Sequence, residues 1–158
     1  MVICSSEKFP VNDIVFRMHR RSLSTCMYAE IFDESTWYLA ASKNKKDFYN
    51  LLDVYLDFVF KPTLSELSFL QEGGRLEFSR LADPSSPLKF KGVVFNEVSG
   101  MLANPSFRLS VERNKALFPD NTYGVNALGN PEEVKKLRYD EVLEFHKNHY
   151  HPSNCRVF

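Results

Sequence analysis

The 158-residue sequence predicts an α+β fold, mostly helical. Three observations predict it. Apolar residues recur at spacings of three and four through about five segments, the pattern of helices with one buried face. Short runs, "TWYLAA" at 36–41 and "NCRVF" at 154–158, read as two of at most three weak strands. Several helical faces need a sheet to lie on, which so few strands only partly supply.

Taken in order, the first helix is expected from about Asn12 to Met27, with Phe16, Met18 and Leu23 among its apolar positions. After "TWYLAA" comes the clearest helix, Asn44 to Phe60. In it Phe48, Leu51, Leu52, Tyr55, Leu56 and Val59 repeat at three and four, and Pro62 ends it. Thr63 and Glu66 have the spacing of a capping box. The helix opening there is expected to carry Leu67, Leu70, Leu76 and Phe78, weakened at Gly73 and Gly74. "LADPSSP" at 81–87 is rich in turn formers. "KFKGVVFNEVSGML" at 89–102 reads as another amphipathic helix. Asn104 before Pro105 is an N-cap with proline at the first helical position, starting a helix toward Phe118. "FPDNTYG" and "NALGN" are loops, and Asn130-Pro131 starts a further helix. The last helix, near Arg138 to Tyr150, is stopped by Pro152, and the chain closes on what reads as the beginning of a strand.

Composition narrows the function classes. Hydrophobic residues make up 44% of the chain, enough to build a core rather than a disordered tail. Lysine plus arginine equals aspartate plus glutamate, 20 against 20, and "HRR" at 19–21 and "KNKK" at 43–46 read as solvated helix ends. A nucleic-acid partner is therefore not expected. No apolar run approaches the roughly 18 residues needed to span a bilayer, so no membrane partner is expected. "MVICSSEKFP" has neither the form of a secretory signal nor that of an Arg-rich presequence, so a cytoplasmic location is expected if the chain is a genuine short product. Cys4, Cys26 and Cys155 are odd in number and far apart, as reduced thiols are.

Two groups of residues carry candidate chemistry. Val93, Val94, Val98, Met101 and Leu102 form an apolar stripe, and Glu97 falls inside it. A carboxylate there costs several kcal/mol unless it is paired or neutralised. The residues alone leave three readings open: Glu97 lies at the edge of a narrower stripe, it pairs with a cation, or it binds a metal. The second group is His146, His149 and His151 in "HKNHYH". Two histidines three apart share a helix face and can hold zinc, but no glutamate occupies the place that an HExxH motif requires. His146 also aligns with Tyr139, Val142, Leu143 and Tyr150, so a satisfied helix histidine is the expectation. There is no glycine-rich phosphate loop, G-x-S-x-G elbow or paired-cysteine site.

A series of longer stretches resembles one family. They are "SEKFPVND" at 6–13, "RSLSTCM" at 21–27, "KDFYNLLDVYLD" at 46–57, "LQEGGRLEF" at 70–78, "FKGVVFNEVSG" at 90–100, "LFPDNTYGVN" at 117–126 and "FHKNHYHPSN" at 145–154. In these the chain resembles the pitrilysin family of inverted-zincin metallopeptidases, in its falcilysin-like branch. The resemblance implies helices packed on one face of an antiparallel sheet, with residues 1–158 forming a partial N-terminal peptidase domain, incomplete at both ends. It implies a zinc metalloendopeptidase that degrades presequences and other short unfolded peptides, with a mitochondrial matrix location.

The family holds zinc with H-x-x-E-H and a distant glutamate, and Glu97 falls on that glutamate. "MVICSS" occupies the place that follows H-x-x-E-H, so the motif is expected to end just before Met1. Zinc is the implied cofactor, with one ligand here and no catalytic residue in this chain. The implied partners are peptide substrates and the remaining domains of the protease, or a homologous partner. Departures from the family pattern fall at Ser5, at Ser99, and at Tyr28, Ala29, Glu30 and Ile31 on the expected substrate-binding edge strand. The alternative is a non-catalytic module of the same fold that binds peptide or a partner.

Overall fold

The computed structural model describes residues 5–21 and 25–158, so Cys4 and Leu23 lie outside the described residues. In chain order the elements are β1 (Ser5–Ser6), α1 (Ile14–Arg21), β2 (Thr25–Ile31), β3 (Thr36–Ser42), α2 (Lys45–Phe60), β4 (Pro62–Thr63), α3 (Glu66–Glu72), β5 (Arg75–Phe78), β6 (Leu88–Lys91), α4 (Val93–Leu102), α5 (Pro105–Leu117), α6 (Pro131–Val134) and α7 (Tyr139–His149). The chain divides into two compact units. The first comprises Met1–Glu30, Thr36–Ser68 and Tyr139–Phe158, and the second Ile31–Ser35 and Phe69–Arg138. The class is α+β, as expected, but among the described residues the sheet is three separate pairs, β1–β4, β2–β3 and β5–β6.

The first unit is organised around α2. Asn44 caps it, its Oδ1 accepting the Asp47 N–H at 3.1 Å. Its inner face buries Leu51, Val54, Tyr55 and Phe58. Leu51 and Tyr55 meet Met27 of β2, with Val15, Met18, Tyr38, Ala40 and Val59 packed around them. Burying a side chain such as Leu51 stabilises by about 1.5–3 kcal/mol. Tyr55 donates its hydroxyl to the Tyr28 carbonyl at 3.3 Å, and its ring meets Tyr38 edge-on at 6.3 Å. The fastenings of α7 lie in the same unit. Tyr139 donates to the Leu64 carbonyl at 2.5 Å, His146 Nε2 lies 2.9 Å from the Val59 carbonyl, and the Tyr150 and Tyr38 hydroxyls are 3.2 Å apart.

The first helix is shorter than its apolar spacing predicts. It ends at Arg21, and Thr25–Ile31 is a strand paired with β3. Met27 is buried while Cys26 and Tyr28 are exposed, an alternation of period two. Phe16, expected to face the core, is 53% exposed. Nor is Thr63 a cap: it pairs with Ser5, and the cap is Ser65, whose Oγ accepts the Ser68 N–H at 3.1 Å.

The second unit holds another departure. The helix expected to run through Leu76 and Phe78 stops at Glu72, and residues 75–78 form β5, antiparallel to β6. Its register sets Leu76 opposite Phe90 and Phe78 opposite Leu88. The alternate positions carry charge, with Glu77 held between Arg75 (2.7 Å) and Lys91 (3.1 Å). Residues 89–91, expected to open the Glu97 helix, therefore belong to a strand. Glycine makes the crossing possible. A Cβ on Gly92 would lie 2.3 Å from the Gly73 carbonyl oxygen, and one on Gly74 would lie 2.0 Å from the Phe90 ring. Asn104 and Asn130 cap α5 and α6 as predicted, each followed by proline. Residues 155–158, expected to begin a strand, form none.

One carboxylate fastens β1 to α2. Asp57 accepts the Lys8 backbone N–H at 2.9 Å and the hydroxyl of Ser6, which is buried; Ser6 Oγ in turn accepts the Phe9 N–H at 3.2 Å. Lys8 Nζ lies 2.7 and 2.5 Å from the two Asp53 oxygens. Partial burial pushes the Asp57 carboxyl up, but the Ser6 and Lys8 hydrogen bonds and the charges of Lys61 and Lys8 outweigh it and hold it below its ordinary value.

A carboxylate with a depressed folded-state pKa contributes stability above its unfolded value, near 3.8, and loses it as pH falls through the folded value. Asp57→Ala is therefore expected to cost about 1–2 kcal/mol at neutral pH and to flatten the acid limb of stability against pH. Equal acid limbs for the two proteins in denaturant titrations would contradict the assignment. Gly92→Ala forces Cβ into backbone and is expected to destabilise by about 1–3 kcal/mol. Gly100→Ala, with no atom within 4 Å of its Cβ and a helical position, is expected to stabilise by about 0.5–1 kcal/mol. Thermal melts of the pair check the contrast.

Candidate functional site

Glu97 stands on α4, and the second unit determines how α4 is held. Gly92 is its N-cap in extended backbone, with its carbonyl accepting the Asn96 N–H at 3.0 Å. Phe95, two residues before Glu97, meets the Phe90 ring edge-on at 4.9 Å, with Lys135 Nζ 5.3 Å from the Phe95 ring centroid. Ser99 Oγ donates to the Phe95 carbonyl at 2.6 Å. Val98 is buried and Met101 and Leu102 are half-buried, so these three form the inward stripe.

The wider stripe drawn from the sequence divides at this point. Val93 and Val94 are 48% and 39% exposed, and Glu97, three and four residues on, is exposed with them. Glu97 thus lies at the edge of a narrower inward stripe. The carboxylate is solvated, and the desolvation cost that raised the question does not arise in this chain. The resulting surface is a carboxylate between two exposed valines on one flank of a well-anchored helix.

The histidines do not converge. His146 Nε2 contacts the Val59 carbonyl, and because a carbonyl only accepts, this nitrogen carries the proton; the ring stacks on Tyr150 at 4.7 Å. His149 is exposed, tilted against Phe145 at 4.4 Å. His151 caps the short turn at 152–154, its Nδ1 accepting the Ser153 N–H at 3.2 Å. Cys26 and Cys155 are exposed free thiols. Among the described residues, no group of three or more His, Cys, Asp or Glu side chains is placed to hold a metal ion. A zinc site needs about four ligands including water, so the donor set among the described residues does not by itself fit zinc. No helix of the described residues is long and apolar enough to cross a membrane.

Sequence reasoning missed one feature of the first unit. A cavity of about 200 Å³ is lined by Val15, His19, Met27, Tyr38, Tyr55 and Phe58 among others. His19 Nε2 lies 2.8 Å from the Met27 carbonyl, and the hydroxyls of Tyr38 and Tyr55 are hydrogen-bonded. Burial pushes the Tyr55 phenol up to about 12, and burial with the Tyr150 hydrogen bond pushes the Tyr38 phenol up as well. Both phenols stay protonated near neutral pH, so neither serves there as a base or nucleophile.

The chain is 48% identical over 157 residues to the mitochondrial presequence protease of Danio rerio, matching 99% of this chain and 15% of that protein. The corresponding figures are 46%, 99% and 15% for Mus musculus, and 42%, 98% and 16% for Schizosaccharomyces pombe. No protein-family model matches the chain. The chain spans about 15% of the length of the curated relatives it matches. Along nearly all of its own length it is homologous to that small part of the presequence proteases, in agreement with the resemblance to the pitrilysin family carried by its motifs.

Proposed function

We propose that residues 1–158 are part of the N-terminal peptidase domain of a zinc metalloendopeptidase that degrades presequences and other short unfolded peptides, and that Glu97 is the metal ligand this stretch contributes. The observation that carries the reading is the 48% identity along 99% of the chain to a mitochondrial presequence protease. Glu97 is consistent with it, since its carboxylate is solvated and its helix is anchored by Val98 and by Phe95 on Phe90. The other zinc ligands and the general base belong to residues outside this chain. Peptide substrates and the remaining domains of the protease are then the partners, and the location is mitochondrial, after the relatives' names, in the matrix that the family resemblance implies. The chain by itself is inactive.

A second reading has one observation in its favour. Large apolar side chains stay exposed within the second unit, among them Leu76 (67%), Leu88 (55%) and Leu109 (70%). A non-catalytic module that binds peptide or a homologous partner would use such surface. Cooperative unfolding of the isolated 158-residue chain, without binding of hydrophobic dyes, is the outcome that favours the module. Dye binding and aggregation favour a piece of a larger protein.

Two measurements test the principal reading. The size of the endogenous protein, from intact mass and an antibody raised to residues 117–150, is expected at about 100 kDa or above, several domains in length. A species at the 18.3 kDa of this chain would overturn it. Glu97→Ala is expected to change the stability of the isolated chain by less than about 0.5 kcal/mol, as at an exposed site without a structural role. In the full-length protein the same substitution is expected to abolish stoichiometric zinc, read by metal analysis after dialysis. Full retention of zinc there would remove Glu97 from the ligand set.

A further inference from the structure

We draw no further inference here: the strongest candidate, the apolar side of the β5–β6 ribbon where Leu76 and Leu88 are exposed, is a surface patch for which nothing in the structure shows what covers it.

Discussion

The burial of one face of α2 against the β2–β3 hairpin is the interaction on which the first unit depends. Leu51, with no accessible surface, lies at its centre, one turn from Tyr55 and in one cluster with Met27. Several polar fastenings of the unit start from the same helix. Asp57 holds residues 6 and 8, the Val59 carbonyl holds His146, and Tyr55 holds the Tyr28 carbonyl. Each of these bonds is worth about a kcal/mol net. They are geometrically meaningful because the apolar face has already fixed the rotation of the helix. A helix turned by one residue, about 100°, would carry Asp57 away from Lys8 and bring Leu52 in place of Leu51.

In the second unit the corresponding constraint is steric. Gly92 lies so close to Gly73 and Gly74 that no side chain fits, and Phe90 fills the space above Gly74 that a side chain would otherwise occupy. The same Phe90 ring then receives Phe95 edge-on. The direction in which α4 leaves the strand is thus set by a close backbone contact and one aromatic pair. Glu97 inherits its place from that geometry, through helical periodicity, with no polar contact of its own required.

How much of this was legible in the sequence depends on length and on capping. The α2 helix shows its period over sixteen residues and carries an asparagine cap, so its limits could be read to within a residue. The Asn-Pro starts of α5 and α6 were equally plain, because asparagine accepts the early N–H groups and proline lacks the one that would go unpaired. The strands β5 and β6 were not legible. Each is four residues long, and Leu76 and Phe78 continue an apolar series begun by Leu67 and Leu70, so the helical reading absorbed them. The decisive signal was the alternation of charge, Arg75-Glu77 against Lys89-Lys91, which becomes visible only once the pairing is known. Thr63 misled for a related reason: a capping-box pattern states what the side chains permit, and strand pairing with Ser5 took precedence.

Glu97 shows the limit of periodicity most directly. A stripe of apolar residues predicts a face, but it does not state what covers that face. Val93 and Val94 share the apolar character of Val98, yet only Val98 is covered within the second unit. The carboxylate between the two exposed valines is therefore compatible with solvent in this chain and would become costly only if that flank were buried. In the proposed full-length enzyme that flank would face the remainder of the metal site, and a cation there would offset the cost of enclosing the carboxylate. Under that proposal the exposed valines and the solvated glutamate would have one physical explanation, as two parts of a surface that the rest of the enzyme completes.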